Sequence, residues 1–262
     1  MTRTGVIIVA IAVMMAIAGP LMSPFDPAAQ QLSLRLDGPS AAHWFGLDEL
    51  GRDVLARVLS GARISLLVGL IVVGVSSVVG TVMGAVAGYF GGIVDEIISR
   101  TIDILLAFPG LLLAIAIVAV LGPSLVNVVF ALTIIGWVGY ARLVRGQALR
   151  VRELEYVVAA RASGAGTRRI LVHHIIPAVL PAVAVQATLG MGGAILSEAA
   201  LSFLGLGVQP PTPSWGTMLS YGRAHLLDAP HVTIFPGIAI AVLVLGFNFL
   251  GDGLRDRLDP HS

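Results

Sequence analysis

The sequence predicts an all-α, polytopic membrane protein with six transmembrane helices, and three observations predict it. Apolar residues make up 56% of the 262-residue chain and charged ones 12%, against about one-half and one-quarter in a typical globular protein. Six runs are long and apolar enough to cross the ~30 Å hydrocarbon core as helices, which need about 20 such residues. None of the six has the short strict alternation of a barrel strand, and a helix satisfies its own backbone hydrogen bonds in lipid.

The runs are Gly5 to Met22, Ile64 to Ala87, Ile104 to Leu121, Leu125 to Ala141, Ala178 to Leu204 and Val232 to Leu250. The first also has the outline of a secretory signal, with Arg3 ahead of it and Ala16 and Ala18 as a small-residue cleavage site. Pro20 and Pro24 directly after it fit a retained first span better. In the second run, Gly80, Gly84 and Gly88 recur every four residues along one face, a stripe that lets another helix approach closely. Gly190, Gly193 and Ala194 do the same in the fifth. The chain thus divides into residues 1–63, a first span with an outer segment, and residues 64–262, a five-helix core.

Charge fixes the expected orientation, since basic residues near span ends stay cytoplasmic. With the N-terminus inside, eleven Arg lie inside (3, 100, 142, 145, 150, 152, 161, 168, 169, 255 and 257) and five outside (35, 52, 57, 63 and 223). Both termini are therefore expected in the cytoplasm. The net charge of +1 carries little information, because in a membrane protein the placement of charge matters more than its sum; the lack of Cys excludes disulfides, thiolate metal sites and a Cys nucleophile, and leaves the redox compartment open. Every basic residue is Arg. Without Lys there is no Gly-x-x-x-x-Gly-Lys-Ser/Thr loop to cradle nucleotide phosphates.

The longest inner segment, 142–176, is more than linker. Val151, Leu154, Val158, Ala162 and Ala165 fall at helical spacing as one apolar stripe. Gly164 and Gly166 then stop the helix, Thr167 caps a second one, and Pro177 and Pro181 hand over to the fifth span. Two short helices at a Gly break form a knob able to dock into a groove on another protein, or else a solvated basic loop that only fixes topology.

Family resemblance separates these readings. Glu155-Tyr-Val-Val-Ala-Ala-Arg-Ala-Ser-Gly164, with His174-Ile-Ile-Pro177, resembles the Glu-Ala-Ala loop of ABC importer permeases. Val158 stands where the pattern has Glu, and His174 where it has Ile. Ser23-Pro-Phe-Asp-Pro27, His43-Trp-Phe-Gly-Leu-Asp48, Gly51-Arg-Asp-Val-Leu-Ala-Arg57 and the run Glu198 to Gly216 are similar to the C-type permease subunits of dipeptide, oligopeptide and nickel importers. The resemblance implies a type I ABC importer permease in a bacterial inner membrane. It implies as partners a second homologous permease, two ATP-binding subunits or one fused ATPase, and an extracytoplasmic substrate-binding protein. It also implies that this chain binds no cofactor, ATP and Mg being handled by the ATPases, and that peptide or nickel is carried. Tyr156, Val158, Ala159, Ala160, Arg161, Gly164, His174 and Pro177 are then the expected ATPase-coupling residues. Asp48, Arg52, Asp53, Gln209 and Trp215 are the expected contacts to the binding protein.

Ionisable and polar residues inside spans are functional candidates because their burial is costly. Glu198 either bonds structurally near the outer boundary or lines the solute path, and Gln186, Asn248 and Asn127 either bond across helices or face a cavity. Asp95, Arg100 and Asp103 have the spacing of a local ion pair. His173 and His174 are adjacent and point about 100° apart on a helix, and His225 and His231 with Asp228 match no ligand motif, so no metal site is expected. A membrane-embedded enzyme would need a nucleophile with a base, or a metal cluster, and no His lies within a run. A secondary transporter would show internal repeats, and none is evident.

Overall fold

The computed structural model describes residues 2–258. Among them the secondary structure is helical, apart from an isolated antiparallel bridge between Leu47 and Asp53. Helix α1 (Thr2–Met22) packs antiparallel to α10 (His231–Leu258). Gly5 backs onto Leu250, Gly246 onto Ile8 and Gly253 onto Thr2, so the start of α1 and the end of α10 share one end of the bundle.

Helix α2 (Val54–Phe90) is 37 residues long and starts well before the apolar run at Ile64. Asp53 caps it by accepting the Ala56 N–H at 2.7 Å. Residue 63 therefore lies inside a continuous helix, so the expected division between 63 and 64 is not a break in the structure. The glycine stripe works as its spacing predicts. A Cβ on Gly80 would meet Trp137 O and Tyr140 Cβ at 2.5 Å, one on Gly84 would run into Ala141 O, and one on Gly88 would meet Ala148 Cβ at 2.7 Å. These contacts seat α2 along α5 (Leu125–Val151).

The third apolar run is not one helix. It is split between α3 (Gly92–Leu106) and α4 (Gly110–Leu121), which are bent by 83°. Pro109 has no N–H to continue the ladder and restricts Phe108 before it, so the helix ends at the pair. The 12 residues of α4 span only about 18 Å, so among the described residues five helices are long and apolar enough to cross a membrane, and α3 with α4 make a sixth span only as a bent pair. Asn127, in the first turn of α5, bonds across to the end of α4, one of its two expected uses: its amide donates to Leu121 O (3.0 Å) and Gly122 O (2.8 Å), tying the α4–α5 turn.

After α5 come α6 (Glu155–Ala162) and α7 (Thr167–Ile170), then a π turn at Leu171–Ile175 that runs into α8 (Ile176–Phe203). Together, 167–203 form one continuous helix. Pro177 thus falls in the first turn of α8, as expected, although that turn continues the helix before it. Its ring would crowd the carbonyl four residues back, and the wider π turn just before it relieves that clash. Helix α9 (Trp215–Gly222) follows at the opposite end and opens on a capping box between Ser214 and Thr217.

Candidate functional site

Val157 is fully buried and seats α6 against the bundle, together with Val151, Ile170 and Ile175. The expected stripe is only partly realised. Val151 is buried and Ala165 half-buried, but Leu154 and Val158 are 40% and 46% exposed and Ala162 is exposed. Leu154 is an extended N-cap residue with ψ 145°, so the helical phase restarts at Glu155 and turns Val157 inward.

The end of α6 is a Schellman motif: Ala165 N–H donates to Ala160 O and Gly164 N–H to Arg161 O, both at 3.0 Å. Gly164 takes φ +83°, as its position predicts, with open space where a Cβ would lie. The second helix is capped by Gly166, one residue before the expected Thr167.

Three basic side chains fasten this region to the corner between α2 and α3. Arg152 Nη1 donates to Gly88 O (2.9 Å) and Tyr89 O (3.3 Å). The Arg161 guanidinium lies 5.7 Å from the Tyr89 ring centroid. Arg145 grips Asp95 through both its Nε and its Nη2, the latter at 2.7 Å. The local pairing expected of Arg100 with Asp103 is absent from the described residues; Arg100 instead meets Glu96 at 3.5 Å on the exposed side of α3. On this fixed base, Tyr156, Val158, Ala159, Arg161 and Gly164 form an exposed surface, with Ala160 and His174 half-buried beside it. The Tyr156 and His174 rings are 5.9 Å apart, and Pro177 is exposed on the helix beyond. The sequence-predicted coupling residues are thus brought together on one knob.

The polar candidates of the spans separate. A cavity of ≈ 270 Å³ between α2, α4, α5 and α8 has Gln186, Ser76, Tyr140 and Ser197 on its wall, with Gly136 and Gly193 between them. Gln186 also borders a wider cavity of ≈ 590 Å³ with Gln147, Pro181 and Arg255, on the side where the chain ends meet. Asn248 lines neither; it is half-buried in the seam between α8 and α10, where a Cβ on Gly192 would lie 3.6 Å from its Oδ1. Sequence reasoning misses Tyr140, which is 4% exposed with its hydroxyl unpartnered. The available signal was a polar ring tip within an apolar run.

Glu198 is fully buried and does not reach water. Its Oε1 accepts from Ser202 Oγ at 2.7 Å, and the same Ser202 oxygen accepts the Val208 N–H at 3.3 Å. Side chains on Gly207 and Gly216 would run into Ser202 and Ala199, so the chain leaving α8 is folded tightly back on it. Trp215 closes this joint, donating from Nε1 to Val58 O at 2.9 Å.

Four of the five expected outer contacts are buried inside the chain, which is at odds with a role in touching a partner. Asp48 accepts Arg52 Nε at 2.7 Å and the Arg52 N–H at 2.9 Å, and lies 3.4 Å from Arg57 Nε. Asp53 is used on the α2 cap and on His43 Nδ1 at 2.8 Å. These groups and Trp215 hold the 23–53 segment on α2, and Gln209 alone of the five is exposed.

Comparison with known proteins assigns this architecture. The dipeptide transport system permease protein DppC of Alkalihalophilus pseudofirmus is 51% identical over 98% of this chain and 84% of its own length. The glutathione transport system permease protein GsiD of Escherichia coli is 48% identical over 99% of this chain and 86% of its own. A chain of the inward-facing MetNI methionine ABC transporter superposes with a TM-score of 0.61 over 76% of this chain and 95% of that one, at 19% identity, a likeness of fold. Residues 80–262 match the family described as binding-protein-dependent transport system inner membrane component. With its helical bundle, fixed knob and near full-length relatives, the chain belongs to that family, the permease subunits of ABC importers.

Proposed function

We propose that this permease forms half of a pathway that imports small peptides, and that α6 docks on an ATPase subunit. The observation that carries the docking is the exposed Tyr156–Val158–Ala159 surface on a helix fastened to α2 and α3. A rigid base and an apolar cap suit a part that must transmit movement, as a solvated loop does not. ATP and Mg belong to the partner subunits, since no P-loop Lys exists in this chain. The orientation follows the Arg asymmetry, with both termini and the knob in the cytoplasm.

Within this reading Gln186, on the walls of both cavities, lines the solute path. Glu198 serves the fold through Ser202, which ties α8 to the chain leaving it, Asn248 lies in the seam between α8 and α10, and Gln209 belongs to the outer face met by the binding protein. Peptide is favoured over nickel by the strength of the likeness to DppC and GsiD. The test is uptake by proteoliposomes that hold the permease with its partner permease, ATPases and binding protein. ATP-dependent accumulation of a labelled dipeptide, competed by unlabelled dipeptide and not by nickel, is the expected result. Accumulation of nickel alone would reverse the assignment of cargo.

A further inference from the structure

A groove of ≈ 460 Å³ runs between the inner half of α2 and the α7–π–α8 helix. Its walls are apolar, with Val82 and Val86 on one side and Val172 and Ile176 on the other. Val82 and Val172 are 49% and 47% exposed, so no described residue covers the groove. Thr167 and Arg168 border the same groove, in the segment just ahead of Leu171. Arg168 is exposed and has no ion-pair partner among the described residues.

We propose that this groove holds one anionic phospholipid of the cytoplasmic leaflet, its acyl chain between Val82 and Val172 and its phosphate on Arg168 and Thr167. The depth fits. The groove lies about a turn from Gly88 and Tyr89, whose carbonyls take the Arg152 side chain, and arginines that leave the hydrocarbon gather at headgroup level. A basic pocket between spans on the cytoplasmic side attracts acidic headgroups. Two other apolar grooves, one between α8 and α10 and one beside α1 and α10, have no ionisable side chain on their walls. They offer a place for acyl chains without preference for charge. The proposal rests on the inside orientation given above, and not on the identity of the cargo.

The assembled transporter, purified from a mixture of phosphatidylglycerol and phosphatidylcholine, is examined by native mass spectrometry for retained lipid. The wild-type complex is expected to keep phosphatidylglycerol in preference, and Arg168→Gln to keep roughly fivefold less of it. Val172→Trp, which fills the groove and leaves Arg168 in place, should also displace the lipid, while Arg169→Gln should not. Equal retention of the two lipids, or unchanged retention in both groove variants, overturns the proposal. Loss of a partner subunit instead of lipid from Arg168→Gln overturns it too, because the groove would then be a protein interface. Since lipid retention is read without transport, failure here and failure of the peptide assignment are distinct results.

Discussion

Gly164 has two separable properties: a backbone at φ +83° and open space where a side chain would project. Gly164→Ala therefore meets nothing with its Cβ and acts through backbone strain, roughly 1–2 kcal/mol in the left-handed region. That strain falls on the junction between α6 and α7, so the variant is expected to insert normally while ATP hydrolysis loses its coupling to uptake. Normal uptake and normal copurification of the ATPase would contradict this. Glu198 calls for the opposite pattern. Its carboxylate accepts the Ser202 hydroxyl in a site without solvent, so Glu198→Ala should lower folded yield through an unpaired donor, a cost of about 1–3 kcal/mol. Glu198→Gln keeps an acceptor and should leave both yield and uptake close to wild type. A fall in uptake at normal yield would instead put Glu198 on the solute path.

At the scale of elements, the legible features were those with one physical meaning. Glycines four apart on an apolar helix have little use but close approach, and Gly80, Gly84 and Gly88 meet α5 as expected. A hydropathy run does not reveal the break at Pro109, because the sum over Ile104 to Leu121 is blind to a missing N–H. The stripe through Leu154 and Val158 was misplaced because periodicity is read as if the helix were continuous, and an extended residue at Leu154 resets its phase. The resemblance offered Asp48, Arg52 and Asp53 as contact surface, and their sequence spacing does not reveal the Asp48–Arg52–Arg57 network or the Asp53 cap that bury them. The long-range pair of Asp95 with Arg145 was illegible for the same reason: its partners are 50 residues apart. Both members are partly exposed, so a double-mutant cycle of Asp95→Asn and Arg145→Gln should give a coupling of only ~0.5–1 kcal/mol in thermal stability. Strict additivity would mean the pair does not fasten the corner.

Across the whole molecule, the structure is divided between two ends. One gathers the start of α1, the end of α10, the corner between α2 and α3, and the knob, while the other carries the 23–53 segment, the Gly122–Ser124 turn and the 204–230 segment. Reporters inserted after Arg35 and Arg168 should therefore be labelled from opposite sides of the membrane, and labelling of both from one side would refute the topology. The absence of Cys makes a more direct measurement simple, since any introduced thiol is the single one in this chain. Val158→Cys places that thiol on the exposed surface of α6, which is held to be the contact with an ATPase. In the assembled transporter it is predicted to form a cross-link to the ATPase subunit whose yield changes between ATP-bound and nucleotide-free states. A Val158→Cys thiol that reacts only with membrane-impermeant reagent added outside, and never with the ATPase, would contradict the account.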